Sequence, residues 1–312
     1  LSNHTCEEDG KKPVRSTDVG DDKDGVGVRD DGRPTYLLAD IAYHRTKIER
    51  GFKEIIDIWG PDHHGYIARL KGAMKALGVN DDQFNVLIAQ QVNLLSNGEP
   101  VVMSKRTGQF VTLKELIEEI PLDVVRYFFV MRSFEAHLDF DLEEARDTSD
   151  KNPYYYVGYA HARVRSIFRR AAEENILSNG EDLMESLQAP DGAKNLQDCL
   201  PTWLGEQLGA IEPMERRRLI WLAARFPEEV RDAAESYEPH RLINTLYQLA
   251  QALSRFYGVP DNKVLTRKPA EAKLLLCILE SIALCIRNGL KLLGMEAPEK
   301  MSRETETQVA DQ

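Results

Sequence analysis

The tightest limit on the fold is a strand–helix–strand succession between residues 54 and 92. The run EIIDIW (54–59) is β-prone and closes on Gly60-Pro61, a turn signal. Residues 66–77 carry Ile67, Leu70, Met74 and Leu77 at helical spacing and stop at Gly78, a residue suited to ending a helix. FNVLIAQQV (84–92) is a second strand candidate, and 100–103 a shorter one. Two strands joined through a helix run parallel, and parallel pairs are buried by the helices that connect them. A helix is also expected over 37–52. Residues 1–33, rich in Asp and Gly, read as loop with one short strand near 25–29.

After Phe110 the pattern changes. Thr112 with Glu115 three residues on makes a capping box for a helix containing Leu113, Leu116 and Ile117. A shorter helix follows over 123–131. From 142 onward almost everything reads as helix, with segments at 152–174, 213–224, 227–237, 239–257 and 269–293. Pro153, Pro227, Pro239 and Pro269 stand near the expected helix starts, where a missing N–H costs nothing. The chain thus divides near residue 148 into an α/β part and an all-α part, with a disordered tail over 302–312.

Charge narrows the partners. The 312 residues hold 40 basic and 51 acidic side chains, a net charge of −11, with 19 and 28 of them in residues 1–150. Bulk acidity argues against non-specific nucleic-acid coating but leaves room for a specific nucleic acid on local basic patches of the near-neutral second half. The longest apolar run, 274–286, carries Glu280 and falls short of the about 20 residues that span a bilayer. Cys6, Cys199, Cys277 and Cys285 show no C-x-x-C spacing and read as reduced thiols of a cytosolic protein.

Four motifs carry chemistry. Met103-Ser104-Lys105-Arg106-Thr107-Gly108 places two cations on a small-residue loop, a clamp for polyphosphate charge or simply a solvated surface pair. Tyr36 and Asp40, four apart, share a helix face, and a carboxylate beside an aromatic ring suits a guanidinium. An ordinary amphipathic helix would look the same. Asp62-His63-His64 follows the end of a parallel strand, where ligands of open α/β sheets bind. A metal-dependent phosphoesterase would need further carboxylates, which only the acidic stretch 18–24 could supply, so no metal ligands are assigned. Finally, Tyr159, Arg163 and Arg170 lie close to one helix face in NPYYYVGYAHARVRSIFRR (152–170), an aromatic–arginine interleaving that stacks bases and neutralises phosphates. The competing reading puts the tyrosines in the core.

Taken together, GRPTYLLADIAYHRTKIERGF, IDIWGPDHHGYIARLKGAMKALG, GEPVVMSKRTGQFVTL and NPYYYVGYAHARVRSI, with the closing EPHRLINTLYQLAQALSRFY and IRNGLKLLGMEAPEKM, resemble bacterial arginyl-tRNA synthetase over about residues 14–301. The resemblance implies an incomplete class I Rossmann-type parallel-sheet domain (1–147) followed by a helical-bundle anticodon-binding domain (148–301). It implies ligation of L-arginine to its tRNA through an arginyl-adenylate, with ATP and Mg²⁺ as the substrate complex and no tightly bound cofactor. Matched motif by motif, Tyr36, Asp40 and His63 line the arginine pocket, and Asp62 and His64 lie on the adenylate side. Met103, Ser104 and Lys105 form the ATP loop, with Lys105 stabilising the departing pyrophosphate. Tyr159, Arg163 and Arg170 face tRNA. The expected partners are tRNA(Arg), L-arginine, ATP and any separate N-terminal half, and the expected setting is the cytoplasm, the full-length enzyme being a monomer.

The sequence departs from that family pattern in three places. Val102 stands where the loop's first lysine is usual, and Gly158 replaces a frequent glutamine. None of the seven histidines sits in a His-x-Gly-His element, which the family places upstream of everything seen here. The resemblance is therefore to the C-terminal portion of the enzyme, expected to be inactive alone. A non-catalytic tRNA-binding module, or one half of a split synthetase, is the alternative. Loss of the first strands would leave the 54–59 and 84–92 pair with uncovered faces and edges.

Overall fold

The computed structural model describes residues 12–14, 25–29, 31–101, 112–176 and 214–301. The chain forms two compact units, Leu1–Val92 with Phe134–Leu138 and Asn93–Ser133 with Asp139–Gln312.

The first unit is built on a parallel pair, β3 (Ile55–Trp59) and β4 (Phe84–Ile88), in the register Ile55↔Phe84 to Trp59↔Ile88. Helices α1 (Tyr36–Glu49) and α2 (Ile67–Ala76) supply its core. Leu37 and Ile41 from α1 and Leu70 and Met74 from α2 close over Ile55 and Phe84, all at most 5% exposed. Alternation along β3 buries Ile55 and leaves Ile56 and Ile58 exposed by 42% and 68%. The sequence reading expects uncovered faces and edges on both strands of the pair; β3 is exposed at these two residues, whereas β4 is buried at Phe84 and half-buried over Asn85–Ile88. Gly78, at φ +85°, ends the turn after α2 in a backbone conformation that residues with a Cβ rarely adopt. A hairpin of β1 (Lys12–Val14) and β2 (Gly25–Val28) precedes α1.

The second unit begins with a three-stranded sheet in the order β6-β5-β7, made by β5 (Val92–Ser96), β6 (Glu99–Pro100) and β7 (Leu138–Asp141), with Val92 and Leu138 at the division between units. The expected 84–92 strand is thus two strands in different sheets. The chain leaves the first where the Ala89 N–H bonds to Trp59 and the Gln90 N–H to Phe134. Helices α3 (Leu113–Glu119), α4 (Leu122–Val130), α5 (Leu142–Arg146), α6 (Pro153–Glu173), α7 (Met214–Glu235), α8 (Pro239–Gly258) and α9 (Pro269–Leu292) follow. Both bonds of the Thr112–Glu115 capping box form. Phe128, Phe140, Val157, Leu219, Leu246, Phe256 and Ile282 join in one continuous core.

One helix boundary differs from expectation. The two helices expected over 213–224 and 227–237 are one helix, α7 (Met214–Glu235), with Pro227 inside it. An interior proline loses one backbone bond and crowds the carbonyl four residues back, costing about 3 kcal/mol. Leu222 and Phe226 before it and Ala233 after it are all in the core, and this shared burial outweighs the break. The Ala223 carbonyl that a residue-227 N–H would have bonded lies 4.0 Å from the Cys285 thiol, a weak donor. Cys277 and Cys285 are buried and unbridged, and burial pushes the Cys285 thiol up to about 11. The expected tail over 302–312, the acidic stretch 18–24, Cys6, Cys199 and the loop with Met103, Ser104 and Lys105 lie outside the described residues. The compact units divide at Val92/Asn93 and again between residues 133 and 139, whereas the sequence reading sets its division between sheet-bearing and helical parts at 147/148.

Candidate functional site

In the first unit the polar residues gather at the C-terminal end of β3. Pro61–Tyr66 is a 3₁₀ turn directly after the strand, so Asp62, His63 and His64 stand where β3 delivers them. A Cβ on Gly60 would come within 2.8 Å of Asp62 Oδ1, so glycine is what lets that carboxylate fold back. Asp62 pairs with His63 at 3.7 Å, both largely exposed.

Tyr66 ends the turn and reaches α1. Its hydroxyl donates to Asp40 Oδ2 at 3.2 Å. Burial, and then the adjacent Asp40 carboxylate, push the Tyr66 hydroxyl well above its ordinary range. Trp59 packs against Tyr66 at 5.7 Å and His63 at 6.4 Å between ring centroids. Asp40, Tyr66, Trp59 and His63 therefore form one contiguous acidic–aromatic surface. Tyr36, the first residue of α1, is 84% exposed, and among the described residues no hydrogen bond or ring contact joins it to Asp40 or His63. Neither Tyr66 nor Trp59 figures in the sequence-based site. The GPDHHGY spacing, which puts an aromatic hydroxyl at the end of the turn, is the signal that could have found Tyr66.

A second cluster holds this site in place. Asp57 on β3 accepts from His44 Nε2 at 2.8 Å and from Lys47 Nζ at 3.1 Å, with all three side chains under 20% exposed. The other His44 nitrogen lies 2.8 Å from the backbone carbonyl of Asp40. Burial alone would raise the Asp57 carboxyl, but the bonds from His44 and Lys47 outweigh it and hold the group below its usual value. His44 thereby ties the backbone of α1 at Asp40 to the strand. No group of three or more His, Cys, Asp or Glu placed to hold a metal ion occurs among the described residues.

In the second unit, Asn152 caps α6 through the Tyr154 N–H, and burial followed by the Asp123 charge raises the Tyr154 hydroxyl. The Tyr159 hydroxyl donates to the Thr148 carbonyl at 3.1 Å, and its ring is half-buried. Arg163 is exposed and lies over the Tyr257 ring at 5.5 Å. Arg170 pairs with Glu174 at 3.8 Å across one helical turn. Arg165 points inward instead and pairs with Glu280 of α9. The buried His161 and the exposed Arg169 bond to the carbonyls of Pro298 and Glu299, strapping the segment after α9 onto α6. Gly158 accommodates that strap, since a Cβ there would meet Met301 Sδ at 3.0 Å and Pro298 Cγ at 3.2 Å.

This helical assembly is of a known kind: residues 157–301 match the DALR anticodon binding domain. With the parallel α/β layer before it, the chain has the make-up of the C-terminal region of a class I aminoacyl-tRNA synthetase. The arginine–tRNA ligase of Leptospira interrogans serovar copenhageni is 49% identical over 307 residues, covering 96% of this chain and 47% of that protein. The arginine–tRNA ligase of Bacillus subtilis is 44% identical over 299 residues, covering 96% and 49%. A solved structure from Campylobacter jejuni, assigned as an arginyl-tRNA synthetase, superposes with a TM-score of 0.75 at 34% identity, over 96% of this chain and 59% of that one. Over nearly its whole length the chain is similar to arginyl-tRNA synthetases, and it spans about half the length of the curated relatives it matches. No helix among the described residues is long and apolar enough to cross a membrane.

Proposed function

We propose that the chain supplies the amino-acid selection, pyrophosphate-releasing and tRNA-gripping parts of an arginine–tRNA ligase. The observation that carries this reading is the Asp40 carboxylate, half-buried and oriented by the Tyr66 hydroxyl beside the Trp59 and His63 rings. A guanidinium takes a carboxylate by two parallel charge-assisted bonds and an aromatic face by stacking, and this surface offers both. Tyr36, exposed at the start of α1, is free to close over the bound side chain, with His63 at the amino-acid end and Asp62 and His64 toward the adenylate.

In the proposed reaction the arginine carboxylate attacks the α-phosphorus of ATP, supplied as its Mg²⁺ complex, and pyrophosphate leaves. No covalent bond to the protein forms, so positioning and charge stabilisation carry the rate. Lys105, with Met103 and Ser104, meets the departing pyrophosphate, while Tyr159, Arg163 and Arg170 meet tRNA(Arg). The setting is the cytoplasm, and the full-length enzyme is a monomer.

Since this sequence contains no His-x-Gly-His element, we expect no arginine-dependent ATP–pyrophosphate exchange from the chain alone, with or without cognate tRNA. Robust turnover would overturn that expectation. The second reading, a tRNA-binding module or one half of a split synthetase, is favoured by the same missing element. It predicts tRNA retention on filters that weakens steeply with salt. Absence of binding at low salt would end it.

A further inference from the structure

We propose that the second unit carries an additional RNA contact, a pocket between α7 and α8 that takes one unpaired nucleotide by stacking its base on Trp221. The inference rests on the tRNA-binding reading above. The pocket has a volume of about 200 Å³ and lies between two helices within the anticodon-binding segment.

One wall is aromatic. Trp221 is 54% exposed, although its neighbour Leu222 is in the core. The Arg225 guanidinium lies over the indole at 4.9 Å and is held there by Glu229 at 2.6 Å. Arg225 thus covers one face of the indole, and the exposed ring offers its other face as the platform. The other wall is polar. Arg241, Asn244 and Gln248 follow one another along one face of α8, bringing amide donors and acceptors to the same space.

Charge decides what such a pocket takes. Arg225 is neutralised by Glu229, and Arg241 by Asp232 and Glu238, each at 3.5 Å. Two arginines face three carboxylates, so no net positive charge remains to attract a phosphate. What remains is a stacking surface beside hydrogen-bonding amides, which fits an aromatic heterocycle read along its edge. In a paired strand that base is stacked between its neighbours, so the occupant is a nucleotide from a single-stranded loop. The pocket is also separate from the Arg163–Tyr257 contact. Arg241 and Tyr257 stand at opposite ends of α8, about 24 Å apart at 1.5 Å per residue. A ligand touching both is extended, as an RNA loop is.

The test is filter binding of an arginine tRNA transcript to the full chain and to Trp221→Ala and Trp221→Phe, each over a salt series. Removing the stacking face is expected to weaken binding about tenfold while leaving the salt slope unchanged, because no phosphate-directed cation is lost. Phenylalanine keeps an aromatic face, so W221F should stay within about threefold of wild type. Wild-type affinity in W221A overturns the proposal. So does a loss that W221F shares in full together with a lowered melting midpoint, since that marks a structural role. If the unaltered chain fails to bind tRNA, the parent reading and this one fall together. Tight wild-type binding with an indifferent W221A removes this one alone.

Discussion

The Tyr66 hydroxyl and the Asp40 carboxylate meet at 3.2 Å, joining the turn after β3 to the middle of α1. If that carboxylate selects a guanidinium, neutralising it removes the charge-assisted pair. Asp40→Asn should weaken L-arginine binding by at least about tenfold, and Tyr66→Phe, which only releases the carboxylate's orientation, by about threefold. Calorimetric titration with arginine, and with the uncharged isostere citrulline as control, reads both. Equal binding of the two ligands by the unaltered chain would contradict the guanidinium assignment.

The neighbouring Asp57 makes a pH-dependent contribution. Its folded-state pKa lies below the ordinary carboxylate value despite burial, because His44 and Lys47 bond to the ionised form. A depressed carboxyl stabilises the fold fully above its unfolded pKa of about 3.9, and that contribution disappears as pH falls through the folded value. Asp57→Asn should therefore lower stability by about 3 kcal/mol at neutral pH, since it leaves Lys47 in a largely buried site without its counter-charge. The gap between variant and wild type should close as the pH is taken below about 4. Thermal or urea unfolding across pH 3–8 checks the sign. A gap that widens on acidification would refute it.

How far these features can be read from sequence depends on how local their cause is. Gly78 and the Thr112–Glu115 box act within one turn of chain, and both do what their spacing announces. The βαβ pair is legible for the same reason, since alternation and breakers are short-range signals. Pro227 misleads because its cost is local whereas the packing of Leu222 and Phe226 that offsets it is not. The β5–β6 hairpin has an unused signal in Asn97-Gly98, both at positive φ and suited to a two-residue turn. In the candidate site, Asp40 follows from its helical spacing and His63 from the family resemblance of the motif that holds it. Tyr66 and the Asp57–His44–Lys47 cluster depend on how α1 docks on the strand, which no local pattern encodes.

The exposed face of β3 has a measurable consequence. Ile56 and Ile58 lie 42% and 68% exposed on a sheet that has two strands among the described residues, an arrangement prone to sticking. Replacing both with threonine keeps β-propensity and removes apolar surface. The double variant should bind less of a hydrophobic dye and stay monomeric at higher concentration, with a melting midpoint close to wild type. Light scattering and dye fluorescence measure this. Unchanged self-association would mean that another surface drives it.

Arg165 and Glu280 separate two roles that α6 combines. They pair between α6 and α9 with side chains only 16% and 14% exposed, so each is the other's principal compensation for leaving water. Glu280→Ala strands a guanidinium in the helical core and should cost about 3–4 kcal/mol, read as a lowered urea midpoint. Replacing the pair together, Arg165→Met with Glu280→Leu, should recover most of that loss, because the desolvation of both charges disappears with them. Arg163, exposed over Tyr257, behaves in the opposite way. Its alanine variant should unfold like wild type while the salt slope of tRNA binding falls by roughly one phosphate contact. At a temperature where it remains folded, the double variant that lacks the Arg165–Glu280 pair should retain the full slope. A reduced slope there would place Arg165 on the RNA-facing side of the helix and contradict its inward pairing.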